Sequence, residues 1–434
     1  MPPRTPAELP LPDLLQRMDE GRRSRYREYL AFYEGRQWEG RAHRGERRLT
    51  FNYVRAFVDK VTSYLLAGAS LQVEPLDPAD PGAVERARRA EQALRLVESE
   101  EGLAQLDYET ELDCAVLGDA AYKVTWDTAE ERVRITAPDV QGIFVWREPD
   151  DPRRMTAVAS QYRLPAEGDA RPRLVTEYWT ADLFELWYGR ELELRAANPY
   201  GFIPFVIFPN VREPKQAWGA SDVPALMASN RELNRAFSQL SQILELSGNP
   251  IAVLEGVTGA ESIAVEPGAV WEVPERARAY LLDLLQGGGV ALHTDYIELL
   301  YRTLHDLGES PRTAFGHNPQ ALSGVALNIE LEPLAQKVER KRRIRTAVYE
   351  RRAWMVLELL RQFRGLDVAG VRPVMRWGPI LPADRSRQVA DERALVEAGI
   401  HARRTAAAIL GSEDPEGEWR RVLEERAALE PGAG

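Results

Sequence analysis

The residue types that carry most enzyme chemistry are present in this chain, but their spacing fits no common catalytic or metal site. None of the five histidines forms a metal-spaced pair, and His293 and His305 would lie about three helical turns apart. No lysine follows a glycine, so the Walker A sequence that cradles a triphosphate is missing. Carboxylates such as Glu109, Glu111 and Asp113 fall on charged helices, where a solvated or ion-paired face is the usual explanation. We therefore predict no catalytic residue, no metal site and no cofactor.

One stretch of the chain concentrates positive charge. It comprises Arg340, Lys341, Arg342, Arg343 and Arg345. A patch that binds nucleic acid usually has interleaved aromatic side chains and a basic surround, whereas acidic residues flank this stretch. Ion pairing with an acidic surface on a neighbouring subunit explains such a stretch better than DNA binding does. We therefore predict these five side chains at an interface between subunits.

The overall composition predicts a globular chain with a real core, because 44% of the residues are hydrophobic and 28% are charged. The net charge is −11, so tight binding to a phosphate backbone is not expected, although nucleic acid could slide past. The single cysteine, Cys114, is expected to be a small buried hydrophobe in a reducing cytoplasm. The most hydrophobic stretch, residues 200–211, is short and broken by two prolines, which predicts neither secretion nor membrane spanning.

The first half of the chain combines helices with a sheet. Four helices are predicted there, over residues 14–35, 51–66, 83–101 and 103–117. From residue 121 to residue 209 the apolar period changes to two, in runs rich in Val, Ile, Thr and aromatic residues. Tyr122, Val124 and Trp126 alternate in this way. Val133 and Ile135 continue the alternation after a short turn, which predicts a second strand paired with the first. The pattern predicts an antiparallel meander and therefore an α+β fold.

Two further helices follow, with an excursion between them. The start signals and apolar stripes predict the first helix over residues 221–247 and the second over residues 290–307. The intervening residues 249–289 contain β-like pieces at 251–254 and 269–273. We expect an antiparallel helix pair with a small α/β insertion at its far end.

A loop and a long helix come next. Residues 308–323 contain two prolines and little apolar content, so we expect them not to pack. Residues 324–364 contain no helix breaker except Pro333, where we expect a kink because the ring removes a backbone donor. That length corresponds to roughly 60 Å of helix, more than a compact domain usually needs. A strand over 371–377 and short helices over 383–428 complete the prediction.

A series of short motifs is spread along nearly the whole chain. They lie at residues 33–35, 52–54, 58–59, 117–122, 198–204, 218–222 with Asn234, 323–327, 337–343, 381–384 and 398–400. In order and spacing these motifs resemble those of the portal proteins of tailed bacteriophages. The resemblance is to the branch found in long-tailed phages of Gram-positive and thermophilic hosts.

The resemblance implies a ring, usually of twelve copies, whose subunits have a wing, a stem, a clip and a crown. The implied division is an N-terminal arm and wing (1–217), a descending stem helix (218–248), a clip (249–289), an ascending stem helix (290–307), a tunnel loop (308–323), a long kinked helix with a wing-completing strand (324–382) and a short helical crown (383–434). Within the tunnel loop, Arg312, His317 and Asn318 are the polar side chains expected at the DNA channel.

The resemblance also implies a function and its partners. The ring would sit at one capsid vertex of the virion, and double-stranded DNA would pass through it non-specifically during packaging and ejection. It would dock the terminase large subunit and head-tail adaptors and contact the major capsid and scaffold proteins. Assembly would take place in the host cytoplasm, with no membrane, no cofactor and no enzymatic activity of the chain itself.

Two other classes of protein stay open on the residues alone. A structural ring or adaptor protein of the phage head would use similar elements without lining the DNA path. A nucleic-acid-processing enzyme would need metal-dependent cleavage or ATP turnover of its own, for which the motifs are missing. A gene-transfer particle or a defective prophage would use the same protein as an infectious phage.

Overall fold

The computed structural model of the chain describes residues 10–165, 172–248, 251–255, 278–282, 289–317, 324–381, 385–412 and 414–429. The helices in these ranges are α1 (Leu11–Arg17), α2 (Glu20–Tyr33), α3 (Tyr53–Leu65), α4 (Pro81–Glu100), α5 (Leu103–Leu117), α6 (Pro224–Gly248), α7 (Gly289–Gly308), α8 (Gly324–Glu330), α9 (Glu332–Arg364), α10 (Arg385–Glu397), α11 (Arg403–Ile409) and α12 (Pro415–Leu429). The strands are β1 (Ser70–Pro75), β2 (Asp119–Asp127), β3 (Arg132–Thr136), β4 (Ile143–Arg147), β5 (Met155–Leu164), β6 (Arg173–Trp179), β7 (Leu183–Tyr188), β8 (Glu191–Ala197), β9 (Phe205–Pro209), β10 (Val211–Arg212), β11 (Gly219–Ala220), β12 (Ile251–Glu255), β13 (Arg278–Leu282) and β14 (Val371–Arg376). The predicted α+β class is confirmed.

Local signals account for the helix ends in the first half. The Asn52 side chain accepts a hydrogen bond from the Arg55 backbone N–H at 3.2 Å and so caps the start of α3. Asp80 caps α4 in the same way, with Pro81 in the first turn. Gly118 adopts a φ of +102° and ends α5 where the sequence predicts the stop.

The sheets are antiparallel, as the alternating pattern predicts. In the three-stranded sheet β2 lies between β3 and β9, and in the five-stranded sheet β4 to β8 follow each other in chain order. Val124 pairs with Ile135 and Trp126 with Val133, so the predicted pairing of these two strands is confirmed. The short helix α1 covers one face of the larger sheet, packing its buried leucines against Phe144 and Trp187.

The main core lies between α3, α5, the three-stranded sheet and α9. It includes Phe57, Tyr122, Phe208 and Val356, all buried. Cys114 is also fully buried in this core, which confirms its predicted role as a small apolar side chain. Because α9 contacts both the helices and the sheet, it connects the elements of the N-terminal half.

One strand pairing joins distant parts of the chain. The predicted C-terminal strand forms as β14, and it pairs with β1, a strand that the sequence analysis does not predict. The β-like piece expected at 251–254 forms as β12, which pairs with β13 over residues 278–282. The other expected piece, 269–273, lies outside the described residues.

The long helix predicted over residues 324–364 is described as two helices, α8 and α9, which meet at Leu331. Pro333 lies in the first turn of α9, where its missing N–H removes no helical hydrogen bond. The interruption therefore lies two residues before the predicted kink, because proline suits a helix start better than a bend within a helix.

Candidate functional site: the segment after α7 and the charges of α9

The chain after α7 folds back onto the protein. Residues 312–315 form a 3₁₀ turn, and Ser310 just before it is buried. The Phe315 ring lies 5.1 Å from the ring of Phe57 on α3, measured between centroids. The prediction that this segment does not pack is therefore wrong for residues 308–317. Pro311 and Gly316, which contributed to the prediction of a free loop, flank a tight turn here, and Phe315 supplies the apolar contact that holds it.

Gly308 ends α7 at a point where no side chain fits. A Cβ atom at this residue would lie 2.6 Å from Cδ1 and Cε1 of Phe57, closer than real contacts allow. Because Phe57 is itself buried in the core, its ring has little room to move. On the other side, Lys337 of α9 donates a hydrogen bond to the Gly308 carbonyl, with an Nζ–O distance of 3.2 Å. A cation at this position complements the negative end of α7.

His305 fixes the first turn after α7. Its Nδ1 lies 2.6 Å from the Ser310 carbonyl oxygen, so Nδ1 carries the proton and donates. The rings of Phe57, Tyr301 and Phe315 surround the imidazole at centroid distances between 4.6 and 5.4 Å. Burial lowers the pKa of His305, and Nε2 has no hydrogen-bond partner among the described residues. The neutral imidazole therefore joins α7 to the segment that follows it.

The three side chains predicted at a DNA channel differ in their surroundings. Arg312 Nη1 donates to Glu298 Oε1 of α7 at 2.6 Å, and its guanidinium lies 4.9 Å from the centroid of the Tyr301 ring. His317 is exposed, and its backbone N–H bonds to the Arg312 carbonyl. Asn318 lies outside the described residues. Arg312 is thus partly neutralised by its own subunit.

Arg345 on α9 is fully buried at the centre of the subunit. Its Nε lies 2.9 Å from Glu111 Oε1 and its Nη2 2.8 Å from Glu111 Oε2, which joins α9 to α5. Its Nη1 donates to the carbonyl oxygens of Pro209 and Asn210 at 2.7 and 2.9 Å. The Tyr349 hydroxyl donates to Glu111 Oε1 at 3.1 Å. This buried pair has the additional hydrogen bonds that desolvated charges need.

A second buried cluster surrounds Asp222, just before α6. Its carboxylate lies 2.5 Å from Lys341 Nζ and 3.5 Å from Lys337 Nζ. Burial opposes ionisation of Asp222, but the two ammonium groups outweigh it and hold the pKa of this carboxyl below its usual range. Further along α9, Arg352 pairs with Asp107 of α5, with an Nη2–Oδ2 distance of 2.9 Å.

Arg342 is buried as well, and it caps the end of α3. Its guanidinium donates to the carbonyl oxygens of Tyr64, Leu65 and Ala67, at distances between 2.8 and 3.2 Å. It also donates to the Gly378 carbonyl at 2.6 Å, just beyond β14. Helix-terminal carbonyls lack partners within their own helix, so this cation satisfies them.

These contacts correct the predicted interface for three of its five residues. Lys341, Arg342 and Arg345 are 3% exposed or less and bind groups of their own chain, so their charge is not available to a neighbour. Arg340 and Arg343 are exposed, with Arg340 paired to Glu309 and Arg343 near Glu339, and their interface role stays a prediction.

The buried cations Lys337, Lys341 and Arg345 have acidic partners that the sequence did not predict, and Lys337 itself was not among the predicted residues. Glu111 was read as part of a charged helix face, and Asp222 and Lys337 were not considered as a pair. One available signal was spacing, because Lys337, Lys341 and Arg345 recur every four residues and so share one helix face with apolar neighbours. Their carboxylate partners are distant in sequence and meet them only after folding.

The described residues contain no group of three or more His, Cys, Asp or Glu side chains placed to hold a metal ion. Nor does that part of the chain include a helix with the length and apolar character needed to cross a membrane. Residues 308–317 pack against the protein, and Lys337 of α9 donates a hydrogen bond to the carbonyl of Gly308. The buried cations Lys341 and Arg345 of α9 pair with carboxylates of the same chain.

Comparison with protein families decides what kind of protein this is. A family model described as "Phage portal protein, SPP1 Gp6-like" matches residues 14–432. The chain belongs to this family of phage portal proteins. The resemblance drawn from the dispersed motifs is thereby confirmed at the level of the family, while the host branch stays a prediction. A search among curated proteins found none that matches.

Phage portal proteins are structural components of the virion rather than enzymes, and the family implies assembly of an oligomeric ring in the phage capsid. In this portal chain, α6 and α7 pack against each other and leave apolar side chains exposed. On α7 the exposed fractions are 70% for Leu292, 42% for Tyr296, 58% for Leu299 and 47% for Leu307. These residues recur at helical spacing, so they form one exposed stripe of α7, which is here called the α7 stripe. At its edge the Tyr296 hydroxyl donates to Glu232 Oε1 of α6 at 3.3 Å.

Proposed function

We propose that this portal chain forms a ring of twelve copies at one capsid vertex, through which double-stranded DNA enters during packaging and leaves during ejection. Family membership supports the assignment to the head of a tailed phage. The α7 stripe is the observation that carries the ring. Fully burying one leucine side chain is worth about 1.5–3 kcal/mol, so the isolated chain leaves considerable stabilisation unused.

A ring gives the α7 stripe a partner. Each subunit of a closed ring contacts its two neighbours through two different surfaces, so one face can be apolar and the other small or polar. The exposed face of α6 carries the small side chains Ala225 and Ala228, the polar side chains Gln239 and Gln242, and Arg235, which is paired with Glu232 of the same helix. A leucine stripe packing beside this face of the next copy buries apolar area without burying unpaired charge.

Family membership also supports the division of the chain into parts that the resemblance implies. We assign α6 (within 218–248) and α7 (within 290–307) to the stem, residues 249–289 to the clip, and the antiparallel region before α6 to the wing. Residues 308–323 are the tunnel loop, and residues 308–317 form its packed base. Residues 324–382 return through the wing, and the helices after residue 383 form the crown.

The charge distribution supports passage of DNA without tight binding. The chain carries a net charge of −11, and the basic residues Lys341, Arg342 and Arg345 are occupied inside the subunit. Affinity for the phosphate backbone comes from cations that replace counterions, so a channel with few free cations holds DNA weakly. In this proposal Arg312, His317 and Asn318 meet the DNA transiently.

The force for packaging comes from another protein in this scheme. The chain lacks a Walker A sequence, so we assign ATP hydrolysis to the terminase large subunit, docked on the ring. Head-tail adaptors bind the ring after packaging, and the major capsid and scaffold proteins surround it during assembly in the host cytoplasm. The exposed side chains Arg340 and Arg343 lie in subunit interfaces.

Negative-stain electron microscopy of the full-length protein tests the ring directly. We expect particles with rotational symmetry and a central hole, alone or after co-expression with the scaffold and capsid proteins. A chain that stays monomeric under all these conditions would overturn the proposal. Mass measurement of the same particles gives the number of copies.

A ring that does not conduct DNA is the second candidate, and the packed base allows a sharp test against it. Replacing residues 318–323 by a Gly/Ser sequence of equal length keeps the chain length and leaves the sequence of residues 308–317 unchanged. If the ring conducts DNA, phage heads form with this variant but package less DNA or retain it poorly. Normal packaging would favour the non-conducting ring. ATP turnover or metal-dependent cleavage by the pure chain would favour an enzyme instead.

A further inference from the structure

Charged groups from separate parts of the chain meet at one buried point. Asp222 lies two residues before α6, and its carboxylate contacts the ammonium groups of both Lys341 and Lys337. The Lys337 Nζ also donates to the carbonyl of Gly308, the last residue of α7. One ammonium group of α9 therefore touches the start of α6 and the end of α7 at the same time.

We propose that Lys337 couples α6 and α7 to α9, so that removing this ammonium group loosens residues 305–317 although the contacts of Phe315 and His305 remain. The functional meaning of this coupling rests on the proposed function, because residues 308–317 are then the base of the tunnel loop. A shift of the stem helices would be transmitted through Lys337 to α9 and to that base together.

Lys341 cannot take over this role. Its ammonium group contacts Asp222, and the described residues give it no contact with Gly308. The Asp222 carboxylate is shared, so each lysine would still find a counter-charge if the other were removed. Removing Lys337 costs the hydrogen bond to Gly308 at the end of α7, whereas removing Lys341 costs the hydrogen bond to Asp222 and leaves the one to Gly308 in place.

The other polar contacts of residues 305–317 are either exposed or do not reach α9. Arg340 bonds both carboxylate oxygens of Glu309 at 2.6 and 2.7 Å, but this pair is 46% and 40% exposed and therefore weak. The bond from His305 to Ser310 joins α7 to the segment without reaching α9. Among the described residues, Lys337 is thus the buried polar link between the end of α7 and α9.

Hydrogen–deuterium exchange on the full-length protein tests the coupling, with Lys337→Met compared with Lys341→Met. A buried charge-assisted hydrogen bond protects the turn that it holds, so we expect amides of 305–317 to exchange about tenfold faster in Lys337→Met. Amides of α5 should keep their wild-type rates. In Lys341→Met, exchange over 305–317 should stay within about twofold of the wild type.

An equal increase in both variants, or none in Lys337→Met, would overturn the coupling. If the methionine variant does not fold, Lys337→Gln removes the charge with less apolar bulk, and the same comparison decides. Electron microscopy of the same samples separates the two proposals. Selective exchange without rings keeps the coupling and overturns the proposed function, whereas rings without selective exchange do the reverse.

Discussion

Arg345 and Glu111 form a bidentate ion pair inside the subunit, with 0% and 1% of their side chains exposed. The pair ties α9 to α5, and the Pro209 and Asn210 carbonyls satisfy the remaining side of the guanidinium. A basic residue placed here stabilises the fold of one chain. Its charge is therefore not available to a neighbouring subunit.

Substituting Arg345→Met leaves the Glu111 carboxylate buried without its partner. We expect the free energy of unfolding to fall by about 3–5 kcal/mol, the usual cost of breaking one side of a buried pair. Urea unfolding followed by circular dichroism measures this change. Arg343→Met is the matched control, because this arginine is 75% exposed and its loss should cost less than about 0.5 kcal/mol.

A double variant tests the reason for that loss. Replacing the pair by Arg345→Met with Glu111→Leu removes both charges, so stability should recover much of what the single variant loses. A double variant as unstable as Arg345→Met alone would show that packing, and not the unpaired carboxylate, dominates the site.

The close approach of Gly308 to Phe57 gives a second prediction. Gly308→Ala places a Cβ atom 2.6 Å from a buried ring, so we expect a loss of about 1–3 kcal/mol through overpacking. Gly21→Ala is the control, because this helical glycine has nothing within 4 Å of the added atom. Thermal unfolding compares the two. Gly308→Ala should cost less in a Phe57→Leu background than in the wild type, and an equal cost in both backgrounds would refute the clash.

The fold was predictable where local signals decide the structure. The Gly118 stop of α5 and the alternation of Val124 and Trp126 depend on backbone conformation and period alone, which neighbours in the sequence determine. Strand β1 was missed because its six residues pair with β14, some three hundred residues later. Its short, mixed pattern carries no signal until that partner is in place.

The site was predictable only in part, for a related reason. Prolines and glycines around residues 308–317 predicted a free loop, and the contact of Phe315 with Phe57 depends on a helix far upstream. The cations of α9 were predicted to pair with a neighbouring subunit, because charged side chains are rarely buried within their own chain. Lys341 and Arg345 break that rule because Asp222 and Glu111 reach them through tertiary packing.

Protonation of His305 gives a third prediction, on pH. Burial lowers its pKa, and the nearby Arg312 acts in the same direction, whereas Asp306 and Glu298 oppose the shift. The contribution of the neutral ring is therefore fully present above its ordinary pKa of 6.5 and is lost as the pH falls through the lower folded value. The protection of amides 305–317, measured as the ratio of the intrinsic to the observed exchange rate, should therefore fall between pH 7.5 and pH 5.

Two variants isolate the histidine responsible. His305→Gln does not titrate, so exchange over 305–317 should lose the part of its pH dependence that exceeds the intrinsic chemical rate. His317→Gln removes an exposed histidine of the same segment and should leave that dependence as it is in the wild type. The same acid response in His305→Gln would assign the effect to another group.

The α7 stripe gives the last prediction, which concerns assembly. Leu299→Asp puts a charge on a side chain that is 58% exposed in the single chain, so the fold of the subunit should survive. In a ring the same charge would be buried against the neighbouring copy without a partner, which costs several kcal/mol at every interface. We therefore expect rings in the wild type and a species of 49.0 kDa in Leu299→Asp, distinguished by light scattering after size exclusion. Ile400→Asp is the control, because Ile400 is 68% exposed and lies outside α6 and α7, so this variant should leave the ring intact. Rings of unchanged mass and stability in Leu299→Asp would place the contacts between subunits elsewhere on the chain.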